Sequence, residues 1–257
     1  MKKNLLSLFV LLFSFSLVAQ VGNLNNVADV AVETDEKVVL PYSSVPHEGG
    51  ENVLFDNGPI ISLPGGGCNG GDASILDGNT GGHTLFGWGF QQNSGNYMAD
   101  DFTNTAAWNI DSMKFFAYQT GATAMTITGV YVQIWSGAPN AGGQVVWGDL
   151  TTNRLAVARL STTYRAQNTT PTDCARRIQE VIANTSVNLP PGQYWVQFGV
   201  TGSAASGPWC PPVTIPNVAV TGNALQFTTT GGWAAALNGT TSPNGAPFIV
   251  YGTAGAP

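Results

Sequence analysis

The most restrictive feature of the sequence is a strict alternation of residue types over residues 130–135. Aliphatic residues alternate there with aromatic or amide residues: Val130, Val132 and Ile134 against Tyr131, Gln133 and Trp135. Because successive side chains of a β-strand point to opposite faces, this period of two predicts a strand with one buried and one solvated face. Residues 113–118 are largely apolar in both phases, which predicts a strand covered on both faces. The breaker at 120–123 suits a turn between the two strands, and a sandwich core follows.

The rest of the chain repeats this pattern of short strands separated by turns. The 32 glycines and 15 prolines interrupt the apolar runs throughout, as expected for many strands joined by loops. The predicted strands are 53–55, 84–90, 96–102, 108–119, 125–135, 145–147, 154–164, 175–183, 193–201, 224–228 and 247–251. Residues 175–183 alone could pass as a helix, and their position between turn-rich segments favours a strand. The predicted fold class is all-β, an antiparallel β-sandwich.

The N-terminal fifth of the chain differs from the remainder. Lys2 and Lys3 precede an apolar run that ends before Ala19, a pattern typical of a secretory signal peptide over residues 1–19. The run is shorter than the ~20 residues that a membrane-spanning helix needs. Residues 20–51 are acidic and poor in aromatic residues, which predicts a flexible leader. We expect the β-sandwich domain to occupy residues 52–254.

The charge balance argues against a nucleic-acid partner. The whole chain has a net charge of −6, and loss of Lys2 and Lys3 with the signal peptide makes it more negative. Arg176 and Arg177 form the only adjacent pair of basic residues in the predicted domain. Phosphate backbones are bound by clusters of basic residues, so two arginines make a weak footprint.

Several segments of the chain carry a resemblance to a known family. They are, in chain order, FDNGP, ADDF, FFAYQTG, GVYVQIWSGAPNAGG, VVWGD, TTNRLA, LPPGQYWVQ and GPWCPP. Together they resemble a β-sandwich domain of secreted bacterial proteins, many of them multi-domain proteins whose tails carry a type IX secretion signal. The resemblance covers residues 53–252. It implies an extracellular, jelly-roll-like sandwich and brings no enzymatic activity with it.

The residues needed for hydrolysis are sparse. The chain holds two histidines, His47 in the leader and His83 in a glycine-rich loop, and no Gly-x-Ser-x-Gly sequence. A glycosidase needs two carboxylic acids across a cleft. The predicted domain contains a single glutamate, Glu180, and most of its aspartates lie in turn sequences. We therefore expect no catalytic residues, with a hydrolase as the third alternative. The few histidines and cysteines also lack the spacing of a zinc site.

The adjacent acids Asp100 and Asp101 form the candidate metal site. In a strand one of the two side chains must face inward, where a carboxylate needs a partner. A calcium ion coordinated by both aspartates, loop carbonyls and Asp72 or Asp77 would meet that need. The alternatives are a turn at the strand end and an ion pair with Arg154 or Arg159.

Three cysteines allow one disulfide and leave one thiol free. Cys68 and Cys210 both lie in long loops rich in glycine and proline. We expect these two to pair, with Cys174 as a possible replacement for either.

The seven tryptophans divide into two groups by position. Trp88, Trp108, Trp135 and Trp195 lie within predicted strands, where burial in the core is expected. Three others lie beside glycine or proline and are the candidate ligand-binding residues: Trp209, Trp147 and Trp233. Exposed indole faces stack on the apolar faces of sugar rings. The sequence thus favours a secreted, non-catalytic binding module for polysaccharide or matrix, with a structural or adhesion protein that binds another protein as the alternative.

Overall fold

The computed structural model describes residues 52–76, 83–239 and 241–255, together with the backbone of residues 38–39. Two mainly antiparallel β-sheets face each other, and within this described part the only helical segments are three short 3-10 turns. The turns are Cys68–Gly70, Gln92–Ser94 and Pro139–Ala141. The all-β antiparallel sandwich predicted from the sequence is confirmed.

The first sheet has seven strands in the order β1-β9-β10-β6-β17-β2, with β3 joined to β9. Their bounds are Val38–Val39 (β1), Asn52–Asp56 (β2), Asp72–Leu76 (β3), Trp108–Ala117 (β6), Leu155–Gln167 (β9), Arg177–Leu189 (β10) and Phe248–Ala254 (β17). All of its pairs are antiparallel except β3 with β9, which is parallel. The segment that could have passed as a helix lies in β10, so the prediction of a strand is confirmed there.

The second sheet has six strands in the order β14-β13-β5-β11-β7-β8. Their bounds are Tyr97–Asn104 (β5), Ile127–Ser136 (β7), Gln144–Asp149 (β8), Gly192–Gly202 (β11), Leu225–Thr228 (β13) and Gly232–Ala235 (β14). Two small pairs complete the fold, Trp88–Gly89 (β4) with Trp209–Cys210 (β12), and Leu237–Asn238 (β15) with Ser242–Pro243 (β16).

The main core lies between the two large sheets. The aliphatic residues of β7 are fully buried in it, as the alternation predicts. Phe115 of β6 stacks on Phe198 of β11 with ring centroids 4.4 Å apart, which joins one sheet to the other. Burial of such large apolar side chains stabilises the fold by roughly 1.5–3 kcal/mol each.

A buried arginine in the first sheet, Arg165, forms hydrogen bonds with the loops that contain Leu85 and Thr214. Arg165 of β9 is 0% exposed, and its guanidinium donates hydrogen bonds to the carbonyls of Phe86 and Leu85 and to the hydroxyls of Ser74 and Thr214. Burial lowers the pKa of Arg165 to about 10. The hydrogen bonds replace the water that the charged group loses, since an unpaired buried donor is costly.

Some element bounds differ from the sequence predictions. The strand β3 lies between the predicted strands 53–55 and 84–90, where none is predicted, and the predicted strand 84–90 shrinks to β4. Neither the signal peptide at 1–19 nor most of the leader at 20–51 falls within the described residues, so both stay predictions. In the part that is described, no helix is long and apolar enough to cross a membrane.

Candidate functional site

The six-stranded sheet carries aromatic side chains on the face that points away from the main core. Strand alternation sends Val130, Val132 and Ile134 inward, so the residues between them point outward. The same phase continues across the neighbouring strands, because Trp195 pairs with Trp135 and Phe227 pairs with both Tyr97 and Trp233. We call the resulting surface the aromatic face; it consists of Tyr97, Tyr131, Trp135, Trp195, Phe227 and Trp233.

The aromatic face is built in two layers. Ala99, Trp195 and Leu225 form a buried cluster that is separate from the main core. Trp135 and Trp233 pack against this cluster and remain half-buried. The rings available to a ligand therefore lie on a packed base, which limits the side-chain freedom that binding would remove.

The loop between β7 and β8 contributes to one end of this surface. Its 3-10 turn Pro139–Ala141 lies against β14, the strand at the other edge of the sheet, and Ala138 packs on the buried cluster. The loop thereby covers Trp195, which is only 6% exposed. The β7–β8 loop thus contacts the opposite edge strand β14 and covers one end of the aromatic face. At the uncovered part, Trp135, Tyr131 and Tyr97 keep part of their surface in solvent.

Gln197 lies on the same face with its side-chain orientation fixed. Its Oε1 accepts hydrogen bonds from Trp135 Nε1 at 3.0 Å and from Gln133 Nε2 at 2.8 Å. An indole N–H can only donate, so the amide atom that faces it must be the oxygen. Among the described residues, none accepts a hydrogen bond from Nε2 of Gln197.

Gly199 makes room for a tyrosine ring on this face. A Cβ atom at Gly199 would lie 2.8 Å from Cδ1 of Tyr97 and 3.1 Å from the carbonyl oxygen of Phe90. The Tyr97 ring therefore lies across β11, between β5 and the Tyr131 side of the sheet. Burial, and secondarily the Tyr131 phenol, raise the pKa of Tyr97. The hydroxyl groups of Tyr97 and Tyr131 thus lie on the face beside the aromatic rings.

The six strands contain no lysine, arginine or histidine. Their acidic residues are Asp100, Asp101 and Asp149, of which Asp101 points outward and accepts a hydrogen bond from Gln193 Nε2 at 2.9 Å. Arg154 follows β8, and its guanidinium pairs with Asp149 at 3.1 Å and stacks on Trp147. The face thus offers aromatic rings, amides and hydroxyls, with one carboxylate and no cation.

The three tryptophans proposed from the sequence do not share one surface. Trp233 belongs to the aromatic face, with its ring centroid 5.2 Å from that of Phe227. Trp147 lies on β8 at the opposite edge and packs against the main core. Trp209 lies on β12, where its Nε1 donates to Ser206 Oγ at 3.1 Å. Of the strand tryptophans expected in the core, Trp195 is buried, although in the second cluster, whereas Trp135 is only half-buried.

Asp100 and Asp101 point to opposite sides of β5. Asp100 is 1% exposed, and its Oδ2 accepts hydrogen bonds from Asn57 Nδ2 at 2.6 Å and from the Ala246 N–H at 2.8 Å. Burial raises the pKa of Asp100 to about 7, against the opposing effect of its hydrogen bonds. These bonds join β5 to the ends of β2 and β17 across the sandwich. The segments FDNGP and ADDF therefore meet at this contact.

The side chains of Asp100 and Asp101, the expected calcium ligands, thus point in opposite directions. The two arginines considered as alternative partners form ion pairs with other acids. Arg154 pairs with Asp149, and Arg159 pairs with Glu180. Asp72 accepts a hydrogen bond from the Gly65 N–H, and Asp77 lies outside the described residues. Over the described ranges, no group of three or more His, Cys, Asp or Glu side chains is close enough to hold a metal ion. Calcium binding by Asp100 and Asp101 stays a prediction.

The expected Cys68–Cys210 disulfide is wrong, because Cys68 is bonded to Cys174. The parallel pairing of β3 with β9 places the loop before β3 beside the β9–β10 connection, and the two Cα atoms are 5.1 Å apart. Cys210 is instead fully buried in β12, opposite Trp88. Burial, and to a smaller extent the charge of Asp100, raise the pKa of the Cys210 thiol.

The residues considered for hydrolysis are dispersed. His83 is buried with Nε2 3.2 Å from the Ala219 carbonyl oxygen. Glu180 lies on the seven-stranded sheet, paired with Arg159 and Lys114. His47 lies outside the described residues. Neither His83 nor Glu180 is on the aromatic face.

The aromatic face was only partly visible in the sequence. The outward phase of β7 contains Tyr131, Gln133 and Trp135, and the outward phase of β11 contains Trp195 and Gln197. The sequence of each strand shows which of its residues point outward, but it does not show that β7 and β11 are neighbours in the sheet. Comparison with known protein families and with curated proteins finds no match for the chain.

Proposed function

We propose that this protein is a secreted, non-catalytic module that binds polysaccharide through the aromatic face. The observation that carries the proposal is the half-buried pair Trp135 and Trp233, packed on a buried second layer. Single half-buried rings are common, but aromatic rings grouped on one face and partly in solvent are typical of an interaction site. The N-terminal sequence pattern and the Cys68–Cys174 bridge support the proposal that the protein works outside the cytoplasm.

Sugar rings match the chemistry of this surface. A pyranose ring has an apolar C–H face, which stacks on an indole, and a rim of hydroxyl groups, which need hydrogen-bond partners. Gln133, Gln197 and the hydroxyl groups of Tyr97 and Tyr131 supply donors and acceptors beside the rings. The arrangement resembles other binding sites in which a few polar groups orient a ligand that aromatic residues hold.

A non-catalytic role is supported by the positions of the acids. Hydrolysis of a glycosidic bond uses two carboxyl groups on either side of the bond. On the aromatic face the strands contribute Asp101 alone, and Asp100 is turned to the interior. Binding without bond cleavage therefore agrees better with this surface than the hydrolase alternative does.

Replacement of Trp135 tests the proposal. Native electrophoresis through gels containing soluble polysaccharides measures retention of the mature chain. Trp135→Ala is expected to weaken retention at least tenfold, which corresponds to about 1.4 kcal/mol. Trp209→Ala is the matched control, because Trp209 is also half-buried but lies outside the face. Retention lost in Trp209→Ala and kept in Trp135→Ala would place binding at β12 instead, and the proposal for the face would fail.

A protein partner is the second candidate, and a specific strand favours it. β8 is an edge strand of the six-stranded sheet, and its Val145 and Val146 are 45% and 47% exposed. An edge strand with exposed apolar side chains can pair with a strand from another protein. Under this alternative, Val145→Lys would abolish partner binding while polysaccharide retention stayed absent in the wild type.

A further inference from the structure

The inference here rests on the proposed function and names the class of polysaccharide. It depends on two observations, the charges of the six-stranded sheet and the hydrogen bonds of Gln197. Each limits which ligands the aromatic face accommodates.

The distribution of basic residues disfavours anionic ligands at this face. The described basic residues are Lys114, Arg154, Arg159, Arg165, Arg176 and Arg177, and none is on a strand of the six-stranded sheet. Arg154, which follows β8, is held by Asp149 and Trp147. Uronate or sulfate groups on a bound chain would meet Asp101 and no counter-charge, and like charges brought close together repel.

Gln197 offers a donor on the same surface. Its side chain is 3% exposed, and both hydrogen bonds to Trp135 and Gln133 fall on Oε1. Its Nε2 has no acceptor among the described residues and is not fully buried, so it can donate to water or to a ligand oxygen that replaces the water. A neutral hydroxyl oxygen can accept from this group and donate in turn to a tyrosine or an amide oxygen.

We propose that the aromatic face takes uncharged, hydroxyl-rich polysaccharide chains, and that the Nε2 group of Gln197 is a specificity-determining donor to a sugar hydroxyl. Anionic chains of the same backbone bind more weakly. The indole rings supply sequence-tolerant stacking, and Gln197 selects a hydroxyl oxygen at one position along the chain.

Matched pairs of polymers test the charge preference without changing the protein. Affinity gels would contain hydroxyethylcellulose or carboxymethylcellulose, and dextran or dextran sulfate, with xylan and galactomannan as further neutral chains. At least one neutral chain is expected to retain the mature protein at least tenfold more strongly than the anionic chains. Stronger retention by an anionic chain, lost in Trp135→Ala, would overturn this inference and leave binding at the face intact. No retention by any polymer would overturn the proposed function, and this inference with it.

Gln197→Glu tests the donor. The substitution keeps an oxygen facing Trp135 and Gln133 and replaces the N–H₂ group by an acceptor, so retention by the neutral chain is expected to fall at least tenfold. Gln193→Glu is the control, because Gln193 is an exposed residue of the same strand and phase, and its retention is expected to stay within twofold of the wild type. Equal retention of wild type and a folded Gln197→Glu variant would refute the role of the donor. If Gln197→Glu does not fold, the polymer pairs decide the charge preference on the wild type, and Gln197→Met, which also lacks the donor, replaces it with the same expected loss.

Discussion

Asp100 shows how one residue connects the two sheets. Its carboxyl group lies inside the sandwich and accepts backbone and side-chain N–H groups from segments 43 and 146 residues away in sequence. The sequence predicts an inward carboxylate at this pair of acids, since adjacent strand residues point in opposite directions. It does not identify the partner, because Asn57 and Ala246 come near Asp100 only when both sheets have formed.

The raised pKa of Asp100 predicts a pH dependence of stability. The folded-state pKa is about 7 against an ordinary value of 3.8, so the folded protein binds the proton more tightly than the unfolded chain does. The stabilisation is complete below pH ~4 and is lost as the pH rises through about 7. Between pH 5 and pH 8 the free energy of unfolding should fall by on the order of 2–3 kcal/mol more in the wild type than in Asp100→Asn.

Urea denaturation at several pH values measures this difference. Asp101→Asn is the control, since Asp101 lies on the outer side of the same strand, and it should keep the pH dependence of the wild type. Equal pH dependence in wild type and Asp100→Asn would mean that Asp100 does not titrate in this range.

At the scale of single elements, the sequence predicts strands well where one face is buried. The inward residues at the centres of β7 and β11, such as Val132 and Val196, follow the alternation and are 6% exposed or less, and on β11 the outward Trp195 and Gln197 are buried as well. β3 was missed because it follows a run of glycines, and its apolar residues Ala73, Ile75 and Leu76 are too few to show a period. Its pairing with β9 is parallel and distant in sequence, so the signal for it comes from the tertiary structure.

That same pairing determines which cysteines meet, and it leads to a prediction on thiols. Unfolded but unreduced protein should show one free thiol, on Cys210, because Cys68 and Cys174 are bonded. The bridge closes a loop of 106 residues, so its loss in Cys68→Ser/Cys174→Ser should lower the free energy of unfolding by about 4–5 kcal/mol in the loop-entropy model.

Cys210→Ala provides the comparison. It removes one buried sulfur atom from the core and should cost about 1 kcal/mol. Three titratable thiols, or peptide mapping that joins Cys210 to Cys68, would contradict the pairing.

At the scale of the whole molecule, the two sheets differ in chemistry. The seven-stranded sheet carries ion pairs such as Lys114 and Arg159 with Glu180 on its outer side. The six-stranded sheet carries aromatic rings and amides there, with no basic residue. Composition shows that charged residues are scarce, but only the strand order shows that the basic ones are absent from the strands of the six-stranded sheet. The candidate site could therefore not be assembled from the sequence, although each strand's outward residues could be.

Side-chain footprinting with hydroxyl radicals tests the aromatic face most directly. The mature protein would be oxidised with and without the neutral polysaccharide that retains it best, and the oxidation of each aromatic residue measured by mass spectrometry. We predict protection of Tyr97, Tyr131, Trp135 and Trp233, with Tyr251 on the seven-stranded sheet and Trp209 unchanged. Protection of Tyr251 or Trp209, with the four residues of the face oxidised as in the free protein, would contradict the assignment.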